Sequence, residues 1–148
     1  MLDKKKPGKK NRASGKTFER KIRADLEKIG WIVDRWTNNV EFNKKELLIG
    51  RTDNIDLGKL VPCKPKFNPF THSLMMISGG FPDFVIYQMK RVDLYNVVGV
   101  ECKSNGYLSA EEKFKCKWLL ENDIFSKILV GKRGKKRGEI LYEKFKSD

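Results

Sequence analysis

Apolar and polar positions repeat along this chain with two periods. From Ser14 to Gly30, the residues Phe18, Ile22, Leu26 and Ile29 recur at helical spacing and form one apolar stripe. Ser14 is placed to cap this helix and Gly30 to stop it. Trp31 to Trp36 (WIVDRW) reads as a strand directly after it. The next strand signals are Phe81 to Tyr87 (FPDFVIY) and Asn96 to Lys103 (NVVGVECK), and the polar residues between them predict a hairpin. Ser109 and Glu112 make a capping box for a second helix that ends near Asn122, with Ala110, Phe114 and Trp118 on its buried side. A strand centred on Ile128-Leu129-Val130 and a last one, Glu139 to Phe145, complete the pattern. Residues 37–78 contain Pro62, Pro65 and Pro69, scattered Asn and Gly, and short apolar pieces such as Leu47-Leu48-Ile49. They read as an irregular insertion with room for a short helix or hairpin. The order predicts one α/β domain over residues 14–148, a mixed central sheet flanked by helices, preceded by a mobile arm over residues 1–13.

Composition narrows the class. A chain of 148 residues with 39% hydrophobic positions has the size of one domain and the means to bury a core. It has no apolar run of the roughly 20 residues that a membrane span requires, and its basic N-terminus lacks the apolar stretch of a secretory signal. The expectation is an intracellular, cytoplasmic protein with no membrane partner. Cys63, Cys102 and Cys116 form neither a disulfide framework nor a CxxC pair, and Cys63 with His72, the only histidine, supplies at most half a zinc site. One histidine and no nucleophile elbow also leave little for a catalytic triad, so the chemistry falls to carboxylates and lysine.

Charge then points to a partner. The net charge is +13, of which residues 1–16 and the run GKRGKKRG (131–138) supply +11. Solubility alone accounts for a frayed tail and a solvated loop. Two such segments also serve as electrostatic arms for a polyanion, with nucleic acid the commonest one inside cells. Neither interleaves apolar anchors with its charges, which disfavours a membrane surface. Lys16, Lys132, Arg133, Lys135, Lys136 and Arg137 are the candidate phosphate contacts. Glycines 131, 134 and 138 leave the loop free to follow a backbone, and if all five of its cations pair, binding falls with salt at a log–log slope of about −4 to −5.

The candidate chemistry lies in Pro82-Asp83 and Glu101-Cys102-Lys103. Side chains alternate along a strand, so Glu101 and Lys103 share one face with Val97 and Gly99, while Val98, Val100 and Cys102 take the other. If the two strands pair antiparallel, Asp83 falls opposite Glu101 or Lys103. Two adjacent carboxylates repel unless a cation lies between them, and carboxylate, water and phosphate oxygens suit Mg²⁺. Tyr107, Lys113 and Lys117 are further groups able to meet phosphates, although exposed lysines on a helix most often only solvate it. Trp31, Trp36 and Trp118 read as core rather than base-stacking platforms.

These motifs carry a resemblance. Pro82-Asp83, an 18-residue step to Glu101, and then Glu101-Cys102-Lys103 resemble the PD-(D/E)xK nuclease superfamily. Residues 15–36 (GKTFERKIRADLEKIGWIVDRW) look like the opening helix and strand of archaeal Holliday-junction resolvases, and residues 80–120 also resemble the VRR-NUC branch. The arm and the insertion are unmatched. The resemblance implies a restriction-endonuclease-like domain with an αβββαβ core, acting as a Mg²⁺-dependent endodeoxyribonuclease (Mn²⁺ substituting) with no small-molecule cofactor. It implies Asp83, Glu101 and the Cys102 backbone carbonyl as metal ligands and Lys103 as the catalytic lysine. Glu19 would act from the first helix, as a ligand or through water; read without the family, it is a helix glutamate paired with Arg23. Glu112 matches a glutamine common in VRR-NUC proteins, but the capping box explains it without catalysis. The expected substrate is branched DNA, cut by a homodimer in DNA recombination and repair. A sequence-specific or general homing-type endonuclease, an RNA-processing nuclease and a non-catalytic nucleic-acid-binding module are the alternatives.

Overall fold

The structure, a computed structural model, describes residues 7–42, 58–75 and 79–147, with side chains from Asn11 onward. Its first helix, α1, spans Pro7–Lys28. It begins ahead of the expected Ser14 cap, with Pro7 at a first-turn position that needs no N–H donor. Thr17 Oγ1 donates to the Ala13 carbonyl at 2.9 Å, inside continuous helix, so Ser14 caps nothing and residues 7–13 of the expected arm are helical. Residues 1–6 lie outside the described residues. The C-terminal stop is as expected: Gly30 has a φ of 94°, Gly30 N donates to Glu27 O at 3.1 Å, and Trp31 N donates to Leu26 O at 3.1 Å. That is a Schellman motif. It turns Ile29 outward, whereas Phe18, Ile22 and Leu26 are buried.

Five strands form a mixed sheet. β1 (Ile32–Arg35) lies at one edge, and the insertion contributes β2 (Asn38–Phe42), β3 (Gly58–Pro62), β4 (Phe67–Asn68) and β5 (Ser73–Leu74). β6 (Phe84–Arg91) and β7 (Leu94–Cys102) form the central hairpin. α2 (Ala110–Glu121) then crosses over to β8 (Lys127–Arg133), and β9 (Ile140–Lys144) closes the chain. The sheet order is β1-β6-β7-β8-β9, antiparallel throughout except for the parallel β7–β8 pair that the α2 crossover permits. The hairpin is longer than its hydrophobic pattern predicts. Its polar residues continue the ladder, with a bulge at Met89/Arg91, and Asp93 turns the chain at a φ of 63°. At the other end, Phe81-Pro82-Asp83 bends before β6 instead of starting it, and the Phe81–Pro82 peptide is cis.

The two sheet faces carry two cores. Val98 and Val100 of β7 pack with Phe84, Ile86 and Val33 under α1. Gly131 makes this approach close: a Cβ there would lie 2.6 Å from Ile22 Cδ1. On the opposite face Cys116, Trp118 and Leu119 of α2 pack with Phe125, Ile128, Phe81 and Val40. The expected buried side of α2 is corrected accordingly: Ala110 is exposed and Phe114 half-buried. Trp118 is buried as expected, packed with Val40 of β2 and Leu60 of β3, an antiparallel pair from the insertion. Leu47-Leu48-Ile49 lies outside the described residues. No described helix is long and apolar enough to cross a membrane.

Candidate active site

The site forms where β6 stops pairing and β7 continues. Phe84 pairs with Val100, so the next position would set Asp83 against Glu101, as the sequence arithmetic expects. In place of backbone ladder bonds, the carboxylates bridge the strands. Asp83 N donates to Glu101 Oε2 at 3.2 Å, and Cys102 N donates to Asp83 Oδ2 at 2.8 Å. Each acid thus commits one oxygen to the other strand's backbone. Gly80 secures the approach, since a Cβ there would lie 1.9 Å from the Trp36 carbonyl oxygen, while Trp36 N donates to Asp83 O at 3.2 Å.

Lys103 lies one step beyond. Its backbone N donates to Gly131 O at 2.9 Å, and its Nζ stands 3.6 Å from Glu101 Oε1 and hydrogen-bonds Glu112 Oε1. The α2 capping box is formed as expected: Glu112 N donates to Ser109 Oγ at 3.2 Å and Ser109 N to Glu112 Oε2 at 2.8 Å. Glu112 therefore serves two purposes, one oxygen capping α2 and the other holding the lysine. The cap-only reading of Glu112 is corrected on this point.

Glu19 reaches the margin of the site from α1. Its partner is Arg35 of β1, at 2.8 Å, and not Arg23, which binds Glu27 at 3.0 Å and the Val33 carbonyl at 2.8 Å. With Cys102, Ser14, Gly15 and Ser104, Glu19 lines a cleft of about 260 Å³ on the α1 side. Arg35 is the residue that sequence reasoning missed; its signal was the WIVDRW strand, which pairs Arg35 with Phe84, next to Asp83.

The electrostatics follow from burial. Glu101 is 6% exposed. Burial, with the Asp83 charge second, pushes its carboxyl up to about 9. Burial also raises Asp83, against its hydrogen bonds to Cys102. Glu19 is raised by burial and then by Asp83, with Arg35 opposing. Burial acts to lower Lys103, yet the Glu112 hydrogen bond and the Glu101 charge outweigh it and hold the ammonium above its ordinary value. Glu112 is held low by the Lys103 hydrogen bond in spite of burial. Burial raises the Cys102 thiol, which stays protonated at neutral pH and offers no soft ligand or nucleophile.

Among the described residues, no group of three or more His, Cys, Asp and Glu side chains is arranged to hold a metal ion. The donor set for a cation is therefore the Asp83–Glu101 pair plus backbone oxygen. It fits a hard divalent ion that keeps most of its waters. The basic segments are disposed less freely than expected. Lys132 Nζ lies 2.6 Å from Glu143 Oε2, and the Arg133 guanidinium lies 5.5 Å from the Phe18 ring centroid. Gly131 is buried in β8, and Glu139 pins the turn, its Oε2 accepting from Lys136 N at 3.2 Å. Lys135, Lys136 and Arg137 remain exposed at the tip, as does Lys16 on α1. No family model matches this chain, and no curated protein or solved structure matches it.

Proposed function

We propose that this protein is a divalent-metal-dependent endonuclease of restriction-endonuclease-like architecture, hydrolysing DNA phosphodiester bonds. One observation carries the reading: a half-buried carboxylate from the bend before β6, Asp83, and a buried one from β7, Glu101, stand together, with the charged Lys103 ammonium 3.6 Å from Glu101. A structural ion pair has no need of the second acid. The order α1-β1-β6-β7-α2-β8 supports the same reading, since it is the αβββαβ arrangement with the insertion placed between its first two strands.

Asp83, Glu101 and the Cys102 carbonyl would hold Mg²⁺ or Mn²⁺. Bound there, the cation supplies Lewis-acid charge to the phosphodiester and makes water a competent nucleophile at neutral pH. The protein's own groups do the rest. Lys103, kept as an ammonium by Glu112 and Glu101, faces the charge that develops on the phosphoryl oxygens as water attacks in line with the leaving oxygen. Glu112 fixes the Lys103 rotamer from a rigid helix terminus. Glu19 and Arg35 border the site on the α1 side. Lys16 and the basic tip hold the phosphate backbone without reading bases.

Asp83→Asn, Glu101→Gln and Lys103→Ala are each expected to abolish cleavage while folding and DNA affinity persist. Chelation of divalent ions should stop the wild-type enzyme and added Mn²⁺ restore it. Full cleavage by all three variants at saturating Mg²⁺ overturns the assignment. A panel of four-way junction, flap, single-stranded and duplex DNA, with RNA counterparts, identifies the substrate.

A further inference from the structure

A cleft of about 880 Å³ plays no part in the chemistry above. It opens between α2 and the last strand. Its floor is apolar, made by Leu108, Phe114, Val130 and Phe145. Its rim is basic: Lys113 and Lys117 project from one face of α2, and Lys144 and Lys146 line the other side. Glu143, the acid among the lining residues, is already paired with Lys132. Tyr107 stands at the mouth, 77% exposed.

The position of Tyr107 ties this cleft to the site. A tight turn follows Lys103: Gly106 N donates to Lys103 O at 2.8 Å, Gly106 has a φ of 78°, and Tyr107 N donates to Asn105 Oδ1 at 3.1 Å. The turn thereby places an exposed aromatic residue four positions beyond the lysine of the site. On α2, Ala110 and Lys113 of the cleft flank Glu112, which holds that lysine. Lys113 and Lys117 are spaced about 6 Å along the helix axis, close to one nucleotide step of an extended strand.

We propose that this cleft holds an unpaired nucleic-acid strand continuing from the scissile phosphodiester, with a base stacked on Tyr107 and backbone phosphates on the lysine rim. An apolar floor with a basic rim is the chemistry of single-strand grooves, where aromatic faces take bases of any sequence. A basic apolar groove also suits an acidic peptide, but continuity with the Lys103 turn favours the strand being cut. The proposal rests on the nuclease reading for its ligand and narrows the substrate to DNA with an unpaired segment, such as a flap or a splayed junction arm.

The test is binding, read by fluorescence anisotropy with the full chain in EDTA, using a labelled oligothymidine and a blunt duplex of equal length. Because no metal is present, an inert Asp83–Glu101 pair would not alter the result, and failure of the nuclease reading shows separately in the cleavage assay. Tyr107→Ala should weaken single-strand binding about fivefold or more while leaving duplex binding unchanged, and Tyr107→Phe should retain affinity. Lys113→Gln with Lys117→Gln should reduce the single-strand salt slope by about 1.4. Wild-type single-strand affinity in Tyr107→Ala and in the lysine variant overturns the proposal. Equal losses for duplex and single strand also overturn it. So does a polyglutamate peptide that binds through Tyr107 while the oligonucleotide does not bind.

Discussion

Glu101 bears on the stability of the fold as well as on the site. Its folded-state carboxyl lies near 9, pushed up by burial and then by Asp83. Between the ordinary value of about 4.5 and 9 the unfolded chain releases this proton and the folded chain keeps it, so stability declines as pH rises. Without divalent metal, Glu101→Gln should therefore exceed the wild type in stability by about 1–3 kcal/mol at pH 8 and match it more closely at pH 5. Urea unfolding at the two pH values measures this; a wild type whose stability relative to the variant rises with pH contradicts it. Glu112 has the reverse sign, since its carboxyl is held low by Lys103: its contribution is present above the ordinary carboxylate value and is lost as pH falls through the folded one. Glu112→Gln preserves a side chain able to cap α2 but removes the carboxylate charge that faces Lys103, so stability should change little while cleavage falls about 10- to 100-fold. Glu112→Ala should lose both, with a stability cost of about 1 kcal/mol. Unaltered cleavage in Glu112→Gln would return Glu112 to a cap alone. Asp83, Glu101 and Lys103 were legible in the sequence because strand alternation and an antiparallel pairing place them together. Arg35 and the second oxygen of Glu112 were not, because their roles depend on which helix turn and which edge strand meet the end of β7.

The same limit holds for whole elements. The α1 stripe and the α2 capping box are local patterns; the box forms, and the stripe forms at Phe18, Ile22 and Leu26. The length of the β6–β7 hairpin and the β2–β3 cover on α2 depend on long-range pairing, which no local period encodes. The basic turn between β8 and β9 shows the consequence. Read as sequence, it holds five equivalent cations. In the fold, Lys132 is neutralised by Glu143 and Arg133 lies over Phe18, leaving Lys135, Lys136 and Arg137 at the tip. The tip's share of the duplex salt slope should be about −2.7, from three phosphates at about 0.9 each, in place of −4 to −5. Replacing those three by Gln should flatten the slope by that amount, and Lys132→Gln alone should barely change it. Equal effects from Lys132 and the tip residues would mean that the Glu143 pair opens on DNA. Cleavage at saturating enzyme should persist in both variants, since the Asp83–Glu101 pair lies outside the turn.

At the scale of the whole molecule, the sheet brings the two helical layers to one end of β7: α1 supplies Glu19 and α2 supplies Glu112. One chain holds one Asp83–Glu101 pair, so under the proposed function the number of incisions would count the chains present. Resolving a four-way junction takes two symmetric cuts and hence two copies related by a twofold axis. Trimming an unpaired arm takes one. For a resolvase, sedimentation with junction DNA should give two chains per junction, and cleavage should yield paired nicks. Mixing then tests the count directly. Asp83→Asn should remain able to bind and assemble, so in an equal mixture with wild type about half of the dimers carry one live site. Singly nicked junctions should therefore accumulate where the wild type alone gives paired cuts. If the junction-bound species is instead one chain, and the mixture merely dilutes activity without raising the share of single nicks, resolution is excluded. The site would then act once per binding event, on the unpaired strand that the Tyr107 cleft is shaped to hold.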